Sequence, residues 1–179
     1  MIYFTSDTHF HHKNVISYSN RPYLTVEHMN SAMIHNWNIV VKPKDTVYHL
    51  GDFCLSNRPD DWKDIRKQLN GTIHLIKGNH DKKNTIKACR SLFESVSDIK
   101  EVKHDGYRLV LCHYPLESWN RMHYGVGHLH GHCHGTLKSE KQWRIDVGVD
   151  CHDYRPVSFD EVVELIGLQK LINIRSRGL

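Results

Sequence analysis

With 179 residues, 39% of them hydrophobic and 25% charged, the chain can bury a core of its own and is read as one domain spanning 1–179. Its formal charge of +4 is too small to argue for nucleic acid, and no apolar run is long enough for a bilayer span. Five cysteines without a CxxC spacing, and no visible signal peptide, point to reduced thiols in a cytoplasm.

Residues 2–5 are a short apolar run, predicted as a buried strand that delivers Asp7 and His9 at its end. Residues 10–24 are polar and read as a loop, from which Asn14 and Arg21 could reach a phosphate. Thr25 caps a helix in which Met29, Met33, Trp37 and Val40 or Val41 recur at three- and four-residue steps until Pro43. That stripe is read as the side facing the core. A second strand, 46–50, closes on Gly51-Asp52, and a helix over 60–70 carries Trp62, Ile65 and Leu69 on one face. The third strand, 72–76, closes on Gly78-Asn79-His80-Asp81. A short helix is expected over 84–92, then strands 96–103 and 107–112 turned at Asp105-Gly106, the second ending at His113. A further strand is expected over 143–149, and Ser158 with Glu161 forms a capping box that opens the last helix.

Before that last strand lies a histidine-rich loop, Gly127-His128-Leu129-His130-Gly131-His132-Cys133-His134-Gly135, with four histidines in seven residues. Neutral imidazole is the commonest side-chain metal ligand near neutral pH. On an extended segment His132 and His134 point to opposite sides, which suits two neighbouring ions with one ligand each. Cys112 and Cys133 then turn away from the ions as packing residues. Strands and helices alternating through short connections imply an α/β layered fold, in which strand ends converge for topological reasons. Carboxylate, imidazole and amide oxygen without thiolate favour Mn²⁺, Fe²⁺, Zn²⁺ or Ni²⁺. One carboxylate can bridge two ions, and Asp52, carried close to the backbone by Gly51, is the natural bridge.

Asp7-Thr8-His9, Gly51-Asp52, Gly78-Asn79-His80-Asp81, His113 and Gly131-His132-Cys133-His134 together resemble the motif set of the calcineurin-like metallophosphoesterase superfamily, across residues 7–134. The resemblance implies two packed β-sheets flanked by helices, a four-layer sandwich with its site at the strand ends. It implies that Asp7, His9, Asp52 and His134 hold one ion, and that Asp52, Asn79, His113 and His132 hold the other, with Mn²⁺ the expected metal. His80 would ligate neither and face the substrate. Asp81 reads equally as a residue that orients the His80 ring or as a turn residue. Protein Ser/Thr phosphatases have Val-Asp-Arg-Gly after Gly-Asp, where this chain has Phe53-Cys54-Leu55-Ser56; purple acid phosphatases have a tyrosine ligand where Leu55 stands. The chain is thus similar to the small bacterial and phage phosphoesterases. The expected activity is hydrolysis of a phosphodiester or nucleotide, by in-line attack of a hydroxide bridging two ions roughly 3.5–4 Å apart. A phosphomonoesterase of small metabolites is the runner-up among enzymes, a nuclease is a further alternative that neither the charge nor an aromatic-basic stripe supports, and a metal-binding scaffold without turnover is the alternative outside them.

Overall fold

A computed structural model of the chain describes residues 1–138 and 141–176, with residues 168–176 described by backbone alone. In chain order its elements are β1 (Ile2–Thr5), α1 (Val15–Tyr18), α2 (Val26–Val40), β2 (Thr46–His49), α3 (Pro59–Gln68), β3 (Thr72–Ile76), α4 (Lys83–Cys89), β4 (Ser95–Ser97), β5 (Ile99–His104), β6 (Tyr107–Cys112), β7 (Gly127–His130), β8 (Arg144–Asp146), β9 (Val157–Ser158) and α5 (Phe159–Ser176). They build two sheets. The first has the order β4-β3-β2-β1-β9 and is parallel except for β9. The second has the order β5-β6-β7-β8 and is parallel except for the β5–β6 hairpin.

Alternation along each strand divides its side chains between two layers. From one face of the first sheet, Tyr3, Val47, Ile73 and Leu75 meet Met29, Met33 and Trp37 of α2 and Trp62 and Ile65 of α3. From its other face, Phe4 and Ile76, with Leu50 just beyond β2, meet Leu109, Leu111, Leu129 and Ile145 of the second sheet. Phe159, Val162 and Ile166 of α5 complete this inter-sheet core. Over the outer face of the second sheet, Val110 is covered by Trp119 and Val126, and the Trp119 indole N–H donates to the Val126 carbonyl at 2.7 Å. The chain is therefore an α/β fold of two packed sheets flanked by helices. Among the described residues no helix is long and apolar enough to cross a membrane.

The expected helix caps are present. Thr25 accepts the His28 N–H at 3.2 Å, and Ser158 and Glu161 exchange backbone and side-chain bonds at 2.8 and 3.2 Å. Four expectations need correction. The 10–24 loop contains the single-turn helix α1. The strand expected over 96–103 is two strands that break at Asp98, β4 in the first sheet and β5 in the second. Alternation continues through a change of sheet, so the pattern alone does not mark the break. The first half of the histidine-rich segment is β7, buried throughout, and the 143–149 strand shortens to β8 before a 3₁₀ turn at Val149–Cys151.

These strands place their C-terminal ends side by side. The Val149 N–H donates to the Ser6 carbonyl at 3.1 Å, joining the end of β1 to the segment after β8. The Gly131 N–H donates to the His113 carbonyl at 3.0 Å, joining the ends of β6 and β7. The turns leaving both sheets thus share one edge.

Candidate metal centre

That edge is a cleft of about 460 Å³ walled by His9, Asp52, Asn79, His80, His132 and His134, with Asp7 and His113 buried beneath. Asp52 occupies its centre. Its Oδ1 accepts the backbone N–H of His80 at 2.8 Å, while its Oδ2 lies 3.6 Å from His9 Nε2 and 3.5 Å from His113 Nε2. On the His9 side, Asp7 Oδ1 lies 3.9 Å from both His9 Nε2 and His134 Nε2. On the His113 side, Asn79 Oδ1 lies 3.0 Å from His113 Nε2 and 2.9 Å from His132 Nδ1. All seven ligand-type residues named from the sequence are therefore brought together, in two groups that meet at Asp52.

The backbone under them is strained. Asp7, His9, Asp52, His132 and His134 have φ of 57°, 49°, 55°, 69° and 47°. In this left-handed region a residue with a Cβ costs about 1–2 kcal/mol. The expectation that extended backbone separates His132 from His134 is thus corrected: two left-handed residues, turning about Cys133, send the rings to different groups. Gly131 and Gly78 allow the turns to approach. A Cβ on Gly131 would overlap Ser6 Oγ and Asp7 Oδ2, and one on Gly78 would overlap Asp52 Oδ1.

The side chains present fit a divalent cation. Asp7 Oδ1 and His9 Nε2 are buried without a hydrogen-bond partner, although both belong to this cluster. An orphaned buried acceptor is costly unless something supplies positive charge. Burial, in fact, pushes the Asp7 carboxyl up to about 7. His113 shows the same need. Its Nδ1 can only donate to the Leu50 carbonyl, 2.7 Å away, so in the neutral ring the Nε2 lone pair faces Asn79 Oδ1. With the Asn79 amide in this orientation, a cation between the two atoms would relieve the contact.

A support system lies behind the His134 ring. His134 Nδ1 is 2.7 Å from Asp150 Oδ2, and Arg21 donates to Asp150 through Nε and Nη2 at 2.8 Å each. The same guanidinium donates to the carbonyls of Asp7 at 2.6 Å and Thr8 at 3.0 Å. Burial opposes charge on Asp150, but His134 and Arg21 outweigh it and hold the carboxyl below its ordinary range. A carboxylate on the remote nitrogen fixes a ligand histidine's tautomer and orientation.

Three expected roles change. Arg21 is not a substrate contact: it is only 4% exposed and its donors are spent on Asp150, Asp7 and Thr8. Asn14 is exposed at the start of α1 and is not among the residues walling the cleft. Asp81 does not orient the His80 ring. Its buried carboxylate accepts the N–H groups of Asp52 and Gly78 at 2.8 Å and of Phe53 at 3.1 Å, fastening the second and third turns together. His80 is exposed at the cleft, with its ring centroid 5.4 Å from that of His9. Cys112 is buried, whereas Cys133 is half-buried in the cleft wall. From the sequence Asp150 is a support that cannot be placed, and His12 reads as exposed rather than as a support behind a ligand. The pairing of Asp150 with Arg21 leaves no local pattern, and His12 is marked only by its spacing from His9.

No family model matches the chain. It is 38% identical over 178 residues to the uncharacterised protein MJ1445 of Methanocaldococcus jannaschii, covering 96% of this chain and 94% of that one. Among solved structures, the protein of unknown function AQ665 from Aquifex aeolicus matches with a TM-score of 0.71 at 29% identity, over 93% of this chain and 99% of that one. A novel archaeal phosphodiesterase matches loosely, with a TM-score of 0.46 at 20% identity over 82% of this chain and 81% of that one. A likeness at that level does not bear on function.

Proposed function

The chain belongs to the family of Methanocaldococcus jannaschii MJ1445, and we propose that it is a phosphoesterase dependent on two divalent cations, acting on phosphodiesters or nucleotides. The observation that carries this reading is the pair of orphaned buried atoms, Asp7 Oδ1 and His9 Nε2, within a convergence of carboxylate, amide and imidazole donors. Asp7, His9, Asp52 and His134 would hold one cation, and Asp52, Asn79, His113 and His132 the other. This donor set, free of thiolate, suits Mn²⁺, with Fe²⁺, Ni²⁺ and Zn²⁺ also compatible. When bound, such a pair acidifies water and draws charge from a phosphoryl group.

The chain's own residues supply the rest. Asp52, anchored through Oδ1 to the His80 N–H, keeps Oδ2 directed between the two groups. The Leu50 carbonyl and Asp150 hold His113 and His134 with Nε2 presented inward. Among the described residues the His80 ring has no hydrogen-bond partner, so at the cleft wall it is available to donate a proton to a leaving oxygen.

The test compares bis-p-nitrophenyl phosphate with p-nitrophenyl phosphate, with and without Mn²⁺. Metal-stimulated turnover that prefers the diester supports the proposal. Preference for the monoester favours a phosphomonoesterase. Mn²⁺ uptake without turnover of either favours a non-catalytic scaffold.

A further inference from the structure

Resting on the phosphoesterase reading, we propose that His12 is a second substrate-facing residue, a hydrogen-bond donor of fixed direction to a non-bridging oxygen of the phosphoryl group. Its role is separate from that of His80. The His12 ring is half-buried in the cleft wall, its centroid 5.1 Å from that of His9 and 6.2 Å from that of His80. His12 Nδ1 lies 3.3 Å from His9 Nδ1.

The hydrogen-bond directions follow from His9. Its Nε2 is the orphaned atom facing Asp7 and Asp52. A nitrogen that ligates a cation carries no proton, so a ligating His9 keeps its one ring proton on Nδ1. The partner in reach of that proton is His12 Nδ1, which therefore accepts. A second proton on His12 Nδ1 would set two N–H groups against each other. His12 therefore presents its donor N–H at Nε2, the nitrogen left for the cleft. The His80 ring has no such constraint.

A donor of fixed direction serves ground state and transition state alike, so its loss falls on KM more than on kcat. If His12 served only as a prop for His9, its loss would change metal uptake and leave phosphate affinity at a given metal occupancy untouched.

The experiment uses the full chain carrying His12→Phe, which removes both ring nitrogens but keeps a planar ring. Mn²⁺ stoichiometry and inorganic phosphate affinity of the Mn²⁺-loaded protein are measured by calorimetry, and KM and kcat with bis-p-nitrophenyl phosphate. The expected result is two Mn²⁺ per chain, phosphate bound about tenfold more weakly, and a matching rise in KM. His12→Gln, whose amide can accept and donate, should recover part of the loss. Should the Phe variant fail to fold, His12→Ala is read in the same way. Wild-type phosphate affinity in the metal-loaded variant overturns the proposal, as does a loss no larger than the fall in Mn²⁺ occupancy. A wild-type protein without metal-stimulated turnover would instead refute the phosphoesterase reading, and the phosphate titration would still decide the role of His12.

Discussion

His134 holds its Nδ1 2.7 Å from Oδ2 of Asp150, and both oxygens of Asp150 accept from Arg21, 129 residues away in sequence. One buried guanidinium thereby orients a candidate ligand and clamps the carbonyls of Asp7 and Thr8 beside two others. Asp150→Asn should weaken Mn²⁺ binding by about 10–100-fold. It also strands the Arg21 charge, costing about 3–5 kcal/mol in stability. Calorimetric Mn²⁺ titration and urea unfolding measure the two effects separately. Wild-type affinity in a folded Asn variant would dismiss the orienting role.

Asp7 stands in the opposite relation to stability. Burial raises its carboxyl to about 7, so without a cation the charged form destabilises the fold increasingly as pH rises from its ordinary value through 7. Asp7→Asn can still accept the His132 N–H, which Asp7 Oδ2 receives at 2.9 Å. In EDTA at pH 8 the Asn variant should match or exceed the wild type in Tm. With Mn²⁺ at a thousand times Kd the wild type should gain about 4 kcal/mol, and the variant little. Destabilisation of the metal-free variant would contradict this.

The ligand-type residues were legible because each follows the end of a strand whose alternation is clear, and glycines mark the turns that carry Asp52, Asn79 and His132. The two-sheet fold was legible for the same reason, through β1, β2 and β3 and the Asp105-Gly106 hairpin. What escaped depends on side chains meeting across the fold. Arg21 looked like a phosphate contact because an arginine in a polar loop gives no sign that Asp150 will take it inward. For Asp81, adjacency in sequence leaves open whether it serves the His80 ring or the turn, because it does not reveal that the carboxylate caps three backbone N–H groups. The split at Asp98, where Lys77 pairs with the carboxylate at 2.7 Å, is equally silent in the pattern.

His80→Ala should keep two Mn²⁺ and a wild-type fold while losing about 10²–10⁴-fold in kcat, the usual range for a positioned acid. Steady-state kinetics across pH on metal-loaded protein provide the check. A near-normal rate would remove His80 from the chemistry.

Away from the cleft, His128 sets a pH dependence of stability. Its Nδ1 donates to the Val110 carbonyl at 2.9 Å, its Nε2 accepts the Leu116 N–H at 3.0 Å, and burial pushes it down to about 4. Between pH 6.5 and 4 the unfolded chain binds a proton that the folded chain refuses. This contribution is complete above pH 6.5 and is lost on acidification at up to about 1.4 kcal/mol per pH unit. Urea midpoints of the metal-free protein at pH 7, 6 and 5 should therefore fall more steeply for the wild type than for His128→Gln. Parallel slopes would show that His128 titrates normally.

The central claim is that two cations share Asp52. Crystals grown with Mn²⁺ and measured at its absorption edge should give two anomalous peaks flanking Asp52 Oδ2, one beside Asp7, His9 and His134 and the other beside Asn79, His113 and His132. No peak in the cleft, or a single peak remote from Asp52, would contradict it.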